Sequence, residues 1–214
     1  MFRAVLRTQW KWTRVAVLVC LVLAFAMPLV SLRSATMARS PQELISAMAA
    51  WGIGYATLAA SLGLIVAWLA WASDHRGHHV YALALPVPRW RYVLLRFAAG
   101  VVLLLPVVVA LGVGTALAVA VTNVPTGLHT YAVAVCLRFA FAALVSFAIF
   151  FAISAMTARA ASYILGAIVV VLVAEFTTDA VGLHWQVGSH VLDFLIAYPG
   201  ILSVFNGRWM LIDV

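Results

Sequence analysis

Five apolar runs follow one another along the chain, each too long for a soluble core and each bounded by polar or charged residues. They fall at Val15 to Leu32, Trp51 to Ala72, Tyr92 to Val121, Tyr131 to Met156 and Ala160 to Val181. About 20 apolar residues in helical form cross the ~30 Å hydrocarbon core of a bilayer, so each run predicts one transmembrane helix. The third is longer than a bilayer requires and carries Pro106 near its middle, which predicts a helix that projects, tilts or kinks. Ahead of the first run, Arg3, Arg7, Lys11 and Arg14 recur at helical spacing opposite Phe2, Val5 and Trp12. That pattern predicts a basic amphipathic helix lying on the membrane surface over residues 2–14. A simple positive anchor for the first span is the plainer reading of the same residues. Between the first two runs, Ser40-Pro41-Gln42-Glu43 has the form of a helix start with Pro in the first turn. The stretch His190 to Phe205 is apolar but short, and Asp193, Pro199 and Gly200 interrupt it. For residues 182–214 the expectation is an external or re-entrant helical segment, or a short sixth span.

Composition narrows this to an all-α polytopic membrane protein in one domain over residues 1–214. The chain is 66% hydrophobic and 9% charged, with mean hydropathy +1.13, against about 25% charged residues in an ordinary globular domain. A net charge of +7 is compatible with nucleic acid in the abstract, but the cations sit at the ends of apolar runs, where they set topology. With the N-terminus placed in the cytoplasm, nine of the thirteen Lys/Arg fall on cytoplasmic segments and Arg33, Arg39 and Arg208 on external ones. Arg138 completes the set and lies inside the fourth run. This bias predicts a multi-pass protein of the cell membrane, cytoplasmic at its N-terminus, with membrane lipids and no nucleic acid as partners. Cys20 and Cys136 lie inside apolar runs and read as small buried residues. The first run is long and no A-x-A-like site follows it, so it reads as a retained span.

The most informative polar interruption is Ser73 to Arg96, SDHRGHHVYALALPVPRWRYVLLR, an elbow (73–91) running into the third span. Pro86 and Pro88 fix φ and forbid continuous helix across 84–88, with Pro88 expected in the first turn of the next helix. Arg89, Trp90, Arg91 and Tyr92 are residue types that anchor protein interfaces. Taken alone they also fit positive-inside charges beside an aromatic belt. His75-x-x-His78-His79 has metal-like spacing, but only Asp74 accompanies it, so no metal is assigned. The G-x-x-x-x-G-K-[ST] phosphate loop does not occur, and the six carboxylates form no close pair for two-metal chemistry. The chain is therefore read as carrying no catalytic residues and no cofactor of its own. A rival class is an intramembrane haem or redox protein with His129, His184 or His190 as axial ligands; a non-transporting structural membrane partner is a third.

Two further constellations concern the spans. Ala59, Gly63 and Ala67 recur every four residues on the second, a face that lets another helix approach closely, within the subunit or against a second copy. Arg138 lies about 10 Å below the outer start of the fourth span, and Glu175 roughly 22 Å above the inner start of the fifth. In ~30 Å of hydrocarbon these depths agree, so the two are expected to pair. Separate snorkelling, or a Glu175 lining a path through the membrane, is the alternative.

The elbow resembles one family. Leu83 to Phe97, LALPVPRWRYVLLRF, placed after the second span and leading into a long helix, is similar to the L-x-L-P-V-x-R-x-x-Y/F loop of ABC-2-type transporter permeases. The basic N-terminal segment and the loop-poor remainder are similar too. The chain departs from the family pattern at Pro88, where a small hydroxyl residue is common, and at His75, His78 and His79. It also ends about where a sixth span would begin. The resemblance implies an exporter permease of the cell inner membrane that is not itself an enzyme. It would act as a homodimer or related heterodimer, with ATP and Mg held by a separate ATP-binding subunit. Leu85, Pro86, Val87, Arg89, Trp90, Arg91 and Tyr92 would couple the two.

Overall fold

The computed structural model describes residues 1–35, 41–76, 88–121 and 129–155, and beyond these 163, 166–167, 169–171, 173–174, 177, 193–195, 197, 200–206, 209 and 211–213. Four long helices dominate: α1 (Phe2–Ala35), α2 (Pro41–Arg76), α3 (Arg89–Val121) and α4 (Ala132–Ala155). Each is long and apolar enough to cross a membrane, the make-up of a multi-pass membrane protein. Two short strands, β1 (His129–Thr130) and β2 (Ile212–Asp213), pair antiparallel, with His129 opposite Asp213 and Thr130 opposite Ile212. The chain divides into two compact units, one of Met1–Phe151 with Arg208–Val214 and one of Ala152–Gly207.

The helix boundaries modify the sequence expectations in three places. The expected change of direction between residues 14 and 15 does not occur: the basic segment and the first span are one uninterrupted helix. Nothing between Thr13 and Val17 breaks the backbone ladder, since Pro and Gly are both absent there. α2 begins at Pro41, at the start predicted by Ser-Pro-Gln-Glu, and so extends well before Trp51. Pro88 stands just outside α3 instead of in its first turn, and its carbonyl accepts the amides of Arg91 and Tyr92 at 3.0 and 3.2 Å. In that place the missing N–H of proline costs nothing, because the position contributes only an acceptor.

In the first unit the helices form two antiparallel hairpins laid one on the other. Ser31 Oγ and Tyr55 Oη, 3.2 Å apart, join α1 to α2. Phe97 stacks against Phe147 and Phe151 to join α3 to α4. Across the hairpins, α1 lies parallel to α3: Gln9 Nε2 donates to the Arg96 carbonyl 87 residues on, and at the far end the Phe25 backbone meets Gly114. A β-carbon at Gly114 would stand 2.6 Å from the Phe25 carbonyl oxygen, so the two backbones come this close only with glycine there. α2 runs parallel to α4 in nearly the same register, with Ser146 Oγ donating to the Ala60 carbonyl 86 residues away at 2.8 Å.

This stacking gives the unit two distinct ends. One holds the N-terminal turns of α1 and α3 and the last turns of α2 and α4, and is here termed the basic end. At the other, Leu32, Ala118, Val135 and Leu211 form a buried cluster over which Val119 and Ala132 close. The segment leading into β2 is bound there as well, through the Tyr131 amide to the Leu211 carbonyl at 2.9 Å.

The second unit is described only in part. Those residues of 163–177 that are described are helical, in the region of the fifth expected span. Nearer the tail, Asp193–Leu195 is helical, and a 3-10 turn spans Ile201–Val204, closed by the Phe205 amide on the Leu202 carbonyl at 2.9 Å.

Candidate functional site

The basic end contains the one buried cation among the described residues, Arg96, only 5% exposed. Its place follows from the α3 repeat. Tyr92, Arg96, Ala99, Leu103 and Val107 share one buried stripe at three- and four-residue steps. Tyr92, one turn earlier, lays its ring 4.9 Å from the Arg96 guanidinium carbon, and Trp71 of α2 approaches it at 5.0 Å. Arg96 Nη1 donates to the Ala70 carbonyl. A desolvated guanidinium between aromatic faces is stabilised by about 2 kcal/mol per good contact. Because its own carbonyl takes the Gln9 amide, Arg96 ties α1, α2 and α3 together at one level. Gln9 Oε1 and Trp71 Nε1 are buried at this end with no hydrogen-bond partner among the described residues.

Immediately before this anchor the helix is open. Pro88, Arg89, Trp90 and Arg91 are all exposed, Trp90 by 64%. Of the seven residues proposed to couple a partner, Arg89, Trp90 and Arg91 thus present free surface, whereas Tyr92 is buried under Arg96. Leu85, Pro86 and Val87 lie outside the described residues, as do His78 and His79 of the elbow. By charge placement Arg96 counts among the nine cytoplasmic cations, yet its side chain faces the interior. The available signal was its position four residues after Tyr92 and three before Ala99, on a stripe that is otherwise apolar.

The small-residue face of α2 is buried along its length: Ala59 and Ala67 are fully buried, and Gly63 is buried between them. It packs inside the subunit, against α4. A β-carbon on Gly63 would meet Phe147 N at 2.5 Å, Ser146 Cβ at 2.7 Å and Ala143 O at 2.8 Å.

At the opposite end, Arg138 lies in the second turn of α4, half-buried, with its guanidinium carbon 4.9 Å from the centre of the Trp209 ring. Trp209 is 3% exposed, and its backbone rests against Gly52 of α2. Glu175, the expected partner of Arg138, lies outside the described residues. Trp209 as a neighbour of Arg138 had no signal in the sequence, since the two are far apart along the chain. Among the three histidines of the haem alternative, His129 is exposed in β1, and His184 and His190 lie outside the described residues. Among the described residues, no three His, Cys, Asp or Glu side chains come together in a group able to hold a metal ion.

Compared with known proteins, the chain matches no family model, no curated protein and no solved structure.

Proposed function

We propose that the chain is the permease subunit of an ABC-2-type exporter: it forms the membrane path with a second permease copy and is driven by a separate ATP-binding subunit. The elbow 73–91 is the docking segment in this reading, and the basic end faces the cytoplasm. The observation that carries it is the abrupt change from exposed to buried at the start of α3. Arg89, Trp90 and Arg91 offer a cationic and aromatic surface of the kind that anchors interfaces. One residue later Tyr92 enters the interior, and at Arg96 the helix is fastened to α1 and α2. A push on the exposed turn therefore reaches three spans and is not lost in a flexible loop. The hydrolysis of ATP belongs to the partner, and this chain converts the partner's movement into a change between spans.

The reading is tested by Arg89→Glu combined with Arg91→Glu. Reversing both charges adds repulsion as well as removing attraction. The variant is expected to insert in the membrane and to lose both co-purification of the ATP-binding subunit and transport-linked hydrolysis. An undiminished complex that still hydrolyses ATP in step with transport would overturn the proposal.

A further inference from the structure

Because α1 is a single helix, its cations occupy a different place from that of a helix lying flat on the membrane. Gln9 and Thr13 are buried in the bundle, and Gln9 holds α1 to the Arg96 carbonyl of α3. The first turns of α1 are therefore fixed upright along α3. Arg3, Arg7, Lys11 and Arg14 are all exposed, and at 100° per residue they keep within one narrow arc.

The same arc continues into the span. Stepping on by four residues from Arg14 leads to Leu18 and then Val22, which are 51% and 61% exposed. One exposed face of α1 is thus cationic in its outer part and aliphatic in its inner part, without a break. Arg14 and Arg33 bracket the apolar section of α1, and the distance between them, about 28 Å at 1.5 Å per residue, matches the ~30 Å hydrocarbon core. Arg14 then sits at the hydrocarbon boundary with its side chain leaning outward, toward the helix N-terminus, to the level of Lys11 among the headgroups, and Arg7 stands a turn beyond. Trp10 and Trp12, both exposed, mark the same level, where such side chains favour the interface. No acidic residue stands in the first turn of α1.

We infer that this face binds one anionic phospholipid, its phosphate held by Lys11 and Arg14 with Arg7 above it, and one acyl chain laid along Leu18 and Val22. Two cations a helical turn apart match a single phosphodiester charge and a neighbouring anionic or hydroxyl headgroup. A zwitterionic choline headgroup would bring its own ammonium against Arg7. The inference depends on α1 spanning the membrane and is independent of the transport reading.

The test is native mass spectrometry of the detergent-solubilised chain titrated with dioleoylphosphatidylglycerol or dioleoylphosphatidylcholine. The wild-type chain is expected to retain the phosphatidylglycerol preferentially. Lys11→Gln with Arg14→Gln should weaken that binding about thirtyfold, as follows from ~1 kcal/mol per cation near an anionic headgroup. Arg89→Gln with Arg91→Gln, which removes equal charge from the same end, should leave lipid binding unchanged. Leu18→Ser with Val22→Ser should also weaken it, because part of the site is the acyl chain. Equal weakening by the α3 control would show a diffuse basic field and overturn the site. Competition by inorganic phosphate at equal potency would show an anion site without lipid selectivity and overturn it too. Should the Lys11/Arg14 variant not fold, the wild-type chain alone decides: equal retention of the two lipids ends the proposal.

Discussion

Replacing Gly63 with alanine adds a single carbon, and the structure fixes what that carbon meets. It would stand 2.5 Å from Phe147 N, 2.7 Å from Ser146 Cβ and 2.8 Å from Ala143 O. Two of the three are backbone atoms of α4, so no rotamer change relieves the clash and the helices must part by roughly 1 Å to regain normal contact. Overpacking of this kind costs ~1–3 kcal/mol. Parting the helices also stretches the 2.8 Å bond from Ser146 Oγ to the Ala60 carbonyl, and an interhelical bond within a membrane is typically worth ~0.6 kcal/mol. Opposing both, alanine favours helix over glycine by up to ~1 kcal/mol. The net expectation for Gly63→Ala is a destabilisation of about 1–2 kcal/mol, with more for Gly63→Leu. Reversible unfolding in mixed micelles, followed by helicity, measures it. Gly166→Ala is the control: its new carbon meets nothing within 4 Å among the described residues, so only the helix preference acts and stability should hold or rise. If Gly63→Ala is as stable as the wild type while the control behaves as stated, the close packing of α2 on α4 is not a source of stability.

Other perturbations read the two ends of the bundle. Arg96→Ala should cost about 2–4 kcal/mol in the same unfolding assay, and Arg96→Lys should not restore it, because an ammonium lacks the flat guanidinium that lies against Trp71 and Tyr92; full rescue by lysine would reduce the site to a simple charge. Trp209→Ala should lower stability by ~3–5 kcal/mol, since its ring is buried and its backbone rests on Gly52; an effect below about 1 kcal/mol would mean the tail is only loosely held. The neighbours of Arg138 are separated by two double-mutant cycles, Arg138→Leu with Trp209→Leu, which removes the ring that the guanidinium faces, and Arg138→Leu with Glu175→Gln. Coupling of about 0.5–2 kcal/mol is expected in the first, and a larger one in the second would establish Glu175 as the stronger partner.

The long helices were legible because apolar length alone specifies a span: the runs ending near Leu32, Ala72, Val121 and Met156 correspond to helices ending at Ala35, Arg76, Val121 and Ala155. Their lengths were less so. The basic segment 2–14 and the mixed segment 41–50 extend α1 and α2 beyond the apolar runs, and hydropathy alone does not say how far a helix continues once charged or hydroxyl residues interrupt the run. The Gly63 face was visible as a four-residue repeat, whereas its partner was not, because small-residue spacing gives a contact surface without saying what fills it. Arg96 shows the converse. A cation near a membrane boundary reads as surface charge from composition, and only the stripe of Tyr92, Ala99 and Leu103 betrays that it faces inward. The β1–β2 pairing and the seat of Trp209 on Gly52 join residues far apart along the chain through backbone groups, for which side-chain patterning offers no signal.

That last arrangement has a consequence for how the protein comes to be made. Trp209, Leu211 and β2 are translated after everything they touch, including Leu32, Gly52, Ala118 and Val135. Until they emerge from the ribosome, the four helices stand in the bilayer with that end uncovered and β1 without its partner. Loop closure over so long a stretch of chain is slow compared with the local pairing of helical hairpins. Sealing of this end therefore follows synthesis of the four helices, and chains stalled or cleaved before Trp209 would display an open apolar end to a membrane protease or chaperone.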